Sequence, residues 1–545
     1  MQISYGIQNI YFSTSECQAI EVQSEKEEGI SALFQSQGSE KRCMKENSLS
    51  EYRKYWKELN HFRNILGLLH WDMEVNLPEK ASEERSEQIS LLASQSHEML
   101  VGKKLSDLIS DLEVQLNTYS LPEKDILSVK REIEILKKDI DREKKLPLDL
   151  VKEFSRVTSL GQSVWANARK KSSFSDFAPV LNEIVKLSQE MADCYGYTAE
   201  KYDALLEGYE EGTRAESLKK LFAGLKNSII PLVAEAGEFS SPFKKPVSAE
   251  LQKTFNEKLP ASLGLRSESS RLDISAHPFS TSLGRHDQRI TTRYSETDPL
   301  SSIFGVLHET GHALYEHGLA GTEIYPSPAA QAVSYGMHES QSRLWENQVG
   351  RSRAFWEYYY PVMLKDYNIY HYDLPFDEFF RFVNSVSKSK IRVEADQVTY
   401  NLHIILRFEI ERELINGNLS VSELPNVWDQ KMKEYFSLEI ENDAEGVLQD
   451  VHWSCGSFGY FPTYTLGNIY SAQLFHKFNS SNSGFWENLR TRGDVSVLNS
   501  WLGRNVYSYG RYFSPEDLIE KASGEKPDSS YLVKYLKSKI LEQSE

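Results

Sequence analysis

The sequence predicts a mainly α-helical fold with a small β-sheet. Three observations carry this. Apolar residues recur at three- and four-residue spacing over long stretches, alternation suited to strands is confined to short pieces, and 40% hydrophobic with 26% charged residues over 545 positions is the composition of a globular chain. A chain of this length can bury a large core.

Residues 1–48 are rich in Ser, Glu and Gln without a sustained apolar period and are expected to form a poorly ordered extension, with Met44 as an alternative start. From residue 49 to 545 one continuous domain is the simplest organisation, since no repeat of fixed period occurs. Its first helix is marked by Tyr52, Trp56, Leu59, Leu66 and Leu69, which fall on one face. A second, amphipathic helix carries Ile126, Val129, Ile133, Leu136 and Ile140 and stops before Pro147. Similar periods recur near 150–210, 215–240, 340–365 and 388–415, and Arg289 to Tyr294 alternates as a short strand. The Gly-, Ser- and Pro-rich stretches 237–247, 260–270 and 318–328 read as connections.

A formal charge of −17 repels phosphate backbones and anionic headgroups, so neither nucleic acid nor membrane is an expected partner. Cys17, Cys43, Cys194 and Cys455 form no CxxC pair, and the N-terminal stretch lacks a basic, then apolar, secretory pattern. A reduced, cytoplasmic location is expected.

The chemistry concentrates in Val306 to Tyr315, VLHETGHALY, an H-E-x-x-H sequence in an apolar helical frame. Four residues turn an α-helix by about 400°, so His308 and His312 stack on one face and can offer two imidazoles to one metal, with Glu309 beside them as a base. Zinc suits nitrogen and oxygen donors with an open position for water. The bare pattern also arises by chance. The apolar flanks Ile303, Val306, Leu307, Ala313 and Leu314, and Gly311, which admits close backbone approach, favour function. No third histidine follows at metzincin spacing, because His317 falls on another face. Glu339, in the polar helix start His338 to Asn347 (HESQSRLWEN), is the preferred third ligand, with Glu316, Glu323 and Glu346 as competitors. Its bland alternative is charge complementing a helix N-terminus.

HETGH followed by HESQSRLWEN resembles the thermostable carboxypeptidase Taq family of zinc carboxypeptidases. The resemblance extends to His277–Phe279 (HPF), Asp287–Thr291 (DQRIT), Ile391–Asp396 (IRVEAD), Gly446–Trp453 (GVLQDVHW) and an early LGLLHWD ending at Asp72. It implies a helical body with a deep groove, related to the neurolysin and angiotensin-converting-enzyme type of peptidase, and a homodimer. The implied activity is release of single residues from peptides with a free C-terminus, with broad side-chain tolerance and poor cleavage at proline. On matching positions it makes His308, His312 and Glu339 ligands of one zinc, for which cobalt or manganese could substitute, and Glu309 the base.

Arginine's planar fork suits a terminal carboxylate. Arg392 is the leading candidate, on an expected helix whose polar stripe includes Asp396, His403 and Arg407, with an ordinary structural ion network as the alternative. Arg289, Gln449 and Asp450 are also assigned to substrate binding, Arg289 with simple pairing to Asp287 as an equal alternative. His452, Tyr460 and Tyr464 are candidates to stabilise the oxyanion. His277 is expected to be a buried structural histidine. The competing functions are an oligopeptidase that cuts internally and a peptide-binding scaffold without catalysis.

Overall fold

The computed structural model describes residues 37–116, 122–234 and 240–544, with side chains from residue 48 to 540. The expectation for residues 1–36 and that for residues 237–239 lie outside the described residues.

Two compact units divide the described chain: residues 37–144 with 326–329, and residues 145–325 with 330–544. Each has its own core. The smaller unit contains α1 (Gln37–Val75), α2 (Ser82–Val101), α3 (Lys103–Gln115) and α4 (Glu123–Lys144). Helix α1 starts upstream of residue 49. Its expected apolar face is largely buried: Tyr52, Trp56 and Leu59 are packed with Leu105 and Leu112 of α3 and Ile133 and Leu136 of α4, and Leu66 is buried further along the same helix. Glu132, wholly buried in that core, accepts from Tyr52 Oη at 2.9 Å and Arg53 Nη1 at 2.6 Å, which offsets the cost of burying its charge.

The larger unit begins with α5 (Leu148–Lys171), α6 (Phe174–Tyr195), α7 (Lys201–Leu206), α8 (Ala215–Ala234), α9 (Ala249–Asn256) and α10 (Leu259–Ser262). A three-stranded sheet follows: β1 (Ser270–Ile274), β2 (Ser280–Ser282) and β3 (Gln288–Thr292), ordered β1-β3-β2, with β1 parallel and β2 antiparallel to β3. The rest is helical: α11 (Pro299–Ala320), α12 (Tyr335–Arg343), α13 (Arg353–Asp366), α14 (Phe376–Val383), α15 (Tyr400–Ile415), α16 (Leu424–Phe436), α17 (Pro462–Ser481), α18 (Phe485–Arg492), α19 (Ser496–Asn505), α20 (Pro515–Ser523) and α21 (Ser530–Ser544). The fold class is mainly α with a small sheet, as the periodicities require. No helix among the described residues is long and apolar enough to cross a membrane.

Helices α11, α12 and α17 form the packed centre of this unit. Helix α11 starts at Pro299, whose missing N–H costs nothing at a helix start, and buries nearly all of its length. A Cβ at Gly311 would lie 2.6 Å from the Gln341 carbonyl oxygen and 2.7 Å from Ser342 Cα, so glycine there lets the α11 and α12 backbones meet. On the other side of α12, a Cβ at Gly467 of α17 would come within 2.5 Å of Glu339 Cγ. Helix α12 is capped by Ser334, which accepts from Met337 N at 3.0 Å, and passes at its far end into a π-helical stretch, Leu344–Val349.

The helix expected over 388–415 is shorter than the sequence suggests. Residues Arg392–Glu394 make one 3₁₀ turn, and α15 begins only at Tyr400. Asp396 is the reason: it accepts from the backbone N–H groups of Ser387, Val398 and Thr399 and from the Thr399 hydroxyl. Such local side-chain bonds hold the turn before α15, so Asp396 is not part of a helical stripe.

Candidate active site

Three donor atoms from two helices converge. His308 Nε2 and His312 Nε2 of α11 lie 3.2 Å apart, and Glu339 Oε2 of α12 lies 3.6 Å from the first and 3.4 Å from the second. Tetrahedral zinc with bonds of about 2.0–2.2 Å requires ligand separations of roughly 3.3–3.5 Å, so this triangle fits that ion with one coordination position left over. Among the described residues these three form the metal-competent group of His, Cys, Asp and Glu side chains.

The surroundings fix each ligand. His308 Nδ1 donates to Glu346 Oε2 at 2.8 Å, which leaves Nε2 free to ligate. Arg343, one turn beyond Glu339, donates Nε to Glu339 Oε1 at 2.7 Å and Nη1 to Glu346 Oε2 at 3.1 Å. One guanidinium thereby holds the second oxygen of Glu339 and the carboxylate behind His308. Burial alone would neutralise Glu339, but Arg343 and then the two histidines hold its carboxyl well below the usual range. The histidines are pushed in opposite directions. Burial pulls both down; Glu339 and Glu346 outweigh it at His308, whereas His338 and His308 reinforce it at His312, which falls to about 3. Two imidazoles this close compete for one positive charge, and a metal binding at both Nε2 atoms would displace that proton. Glu309 follows His308 on α11, is 3% exposed, and is close enough to raise that ring's pKa.

Of the sequence-predicted oxyanion residues, Tyr460 and Tyr464 line a small cavity with His312, Tyr335, His338 and Glu339. Burial raises both phenols, so both keep their protons as donors. His452 stands behind them, with Nε2 3.3 Å from Tyr464 Oη; burial lowers its ring to about 3, and its buried Nδ1 has no hydrogen-bond partner.

Arg392 is buried beside this group. Its Nε and Nη2 donate to Asp450 Oδ1 at 2.9 and 2.8 Å, its Nη1 donates to Tyr400 Oη at 3.1 Å, and its guanidinium lies 5.4 Å from the Tyr464 ring. Arg407, wholly buried, donates Nε to Asp450 Oδ2 at 2.7 Å. Two arginines therefore face one carboxylate, and although burial opposes its charge they hold Asp450 well below the usual range. Gln449 is fully engaged: its oxygen accepts from Arg392 N and Arg407 Nη2, and its amide donates to the Lys390 and Glu445 carbonyls. Arg289 makes a two-pronged pair with Asp287, at 2.9 and 3.0 Å, on β3. His277 is exposed and not buried, in the connection between β1 and β2.

Sequence reasoning missed Arg343, Tyr400 and Glu210. Arg343 was detectable at i+4 from Glu339. Tyr400 carried no local signal; its ring lies 4.6 Å from Arg343 and links that residue to Arg392. Glu210, wholly buried, accepts from Gly336 N, Ser334 Oγ and Tyr470 Oη, each at 3.0 Å, and so anchors the start of the helix that carries Glu339.

A buried H-E-x-x-H pair joined by a glutamate from the next helix, in a mainly α body, defines a metal-dependent peptide hydrolase. The comparisons with known proteins give the family. The chain belongs to the family described as carboxypeptidase Taq (M32) metallopeptidase, which matches residues 51–540. It is 36% identical over 498 residues to carboxypeptidase 1 of Bacillus subtilis, covering 90% of this chain and 97% of the relative. It is 37% identical over 506 residues to thermostable carboxypeptidase 1 of Pyrococcus furiosus, with the same two coverages. The solved M32 carboxypeptidase of Deinococcus radiodurans superposes with a TM-score of 0.87 at 35% identity, covering 91% of this chain and 99% of that one.

Proposed function

We propose that this protein is a zinc carboxypeptidase that removes single residues from the C-termini of peptides. The observation that carries the reading is the 3.2–3.6 Å triangle of His308, His312 and Glu339 with Glu309 buried beside it. Those three residues hold the metal. When bound, zinc polarises a carbonyl and lowers the pKa of water towards neutrality.

Glu309 takes the proton of the attacking water on its carboxylate and passes it to the departing amine. The Tyr460 and Tyr464 hydroxyls, supported by His452, donate to the carbonyl oxygen as negative charge grows there. Arg392 receives the substrate's terminal carboxylate: the Arg392–Asp450–Arg407 cluster buries one positive charge in excess, which a carboxylate would neutralise. Gln449 and Asp450 brace that arginine, and Arg289 belongs to the outer part of the peptide site. Broad tolerance with poor cleavage at proline and a homodimer follow the family likeness; replacement of zinc by cobalt or manganese follows the donor set, and a cytoplasmic location follows the cysteine usage and the N-terminal pattern.

Time-resolved mass spectrometry of a free-terminus peptide and its amidated twin tests the reading, with enzyme as purified, chelated, and resupplied with zinc. A ladder of C-terminal losses, absent for the twin and without metal, is the expected result. Equal internal cutting of both peptides would make the protein an oligopeptidase and leave Arg392 without its proposed role.

A further inference from the structure

The two histidines of the triangle are backed differently. His308 rests directly on a carboxylate, Glu346. His312 meets a third imidazole instead: its Nδ1 lies 2.5 Å from Nδ1 of His338, and Nε2 of His338 lies 3.0 Å from Glu316 Oε1. His338 precedes Glu339 on α12, but its ring is outside the metal-competent group.

Helix geometry makes this arrangement specific. His308, His312 and Glu316 are spaced i, i+4, i+8 and form one stripe on α11. His338 comes from the first turns of α12, which Gly311 admits to close range, and fills the space between His312 and Glu316. The His312 and His338 rings have centroids 4.4 Å apart and planes 28° apart, and Tyr315 meets His338 at 5.6 Å. The His338 side chain is 12% exposed, so water is a poor substitute for either of its partners.

The proton positions follow from the donor inventory. With Nε2 of His312 committed to the triangle, its proton sits on Nδ1 and must be donated. His338 then accepts at Nδ1, which places its own proton on Nε2, pointed at the Glu316 carboxylate. All hydrogen bonds in the chain run in one direction. We infer that His338 and Glu316 are positioning residues, a two-step relay that fixes the tautomer and ring plane of His312 and strengthens it as a metal ligand. The inference rests on the zinc reading proposed above.

The test is zinc affinity, measured by competition with a chromophoric chelator, together with thermal unfolding of each metal-free protein. His338→Ala should bind zinc about 10–100-fold more weakly than the wild type. His338→Asn, whose Oδ1 can accept from His312, should recover part of that loss, and Glu316→Gln should weaken binding by a few-fold. The metal-free melting points of His338→Asn and Glu316→Gln should match the wild type, which a merely structural role would not give. Zinc affinities within about twofold of wild type in both would overturn the relay, and they decide the matter even if His338→Ala does not fold. A wild-type protein that binds no zinc would instead remove the metal reading itself.

Discussion

Glu309 and Glu210 are both buried carboxylates, yet they carry different tasks because their neighbours differ. Glu309 adjoins the triangle of His308, His312 and Glu339, and Glu309→Gln preserves shape and polarity while removing the carboxylate proposed as the base. Turnover should fall about 10²–10⁴-fold with zinc content unchanged, checked by metal analysis alongside kcat. Glu210 has three hydrogen-bond donors and no cation, and burial lifts it from the ordinary 4.5 to about 7. A carboxyl raised on folding favours the native state fully below the unfolded pKa, and that contribution is lost as pH rises through the folded one. Between about pH 4.5 and 7 this site therefore costs the fold stability, by at most about 3 kcal/mol. Glu210→Gln should gain stability relative to wild type as pH rises across that window, in urea titrations of the chelated proteins. A difference that stays constant with pH would show that Glu210 titrates normally.

At the level of elements, the site depends on how closely α11, α12 and α17 approach. Gly311→Ala would press a methyl group into the Gln341–Ser342 backbone, which has no flexible end to yield. It should destabilise by about 1–3 kcal/mol and weaken zinc binding, since α12 carries Glu339. Gly503 of α19 is the internal control, because a Cβ there meets nothing within 4 Å. Alanine at that helical position should be neutral or stabilising by up to about 1 kcal/mol. Parallel denaturant midpoints for the two variants separate packing from helix propensity. Anchors elsewhere serve the same end: Glu411 accepts from Tyr202 Oη, Trp453 Nε1 and Gly459 N, and so holds the segment that supplies His452 and Tyr460.

For the whole molecule, a metal that binds only the native chain adds its binding energy to stability. Free zinc at 100 times the dissociation constant should contribute about 2.7 kcal/mol, so the melting temperature should rise with zinc concentration and fall on chelation. Calorimetry at several zinc levels checks this, and an unchanged melting temperature would mean that the triangle binds no zinc. The formal charge of −17 acts on a different scale, favouring solubility and disfavouring polyanionic partners.

The sequence alone determined what is periodic and local. Helical spacing placed the core face of α1 and of α4, the short alternating run placed β3, and H-E-x-x-H put two histidines on one face with a glutamate beside them, because 3.6 residues per turn fixes neighbours within a helix. The family motifs supplied the remaining nominations. Spacing left four glutamates in contention for the third ligand, and only tertiary structure shows where three of them sit: Glu339 closes the triangle with His308 and His312, Glu346 backs His308 and Glu316 reaches His338. The 388–415 period gave no warning that Asp396 would bind the turn before α15 and leave Arg392 in a separate turn. Partners across helices depend on how closely the helices approach and how each is rotated about its axis, set here by Gly311, Gly467 and the π-helical stretch after α12. No pattern within a single segment encodes that distance.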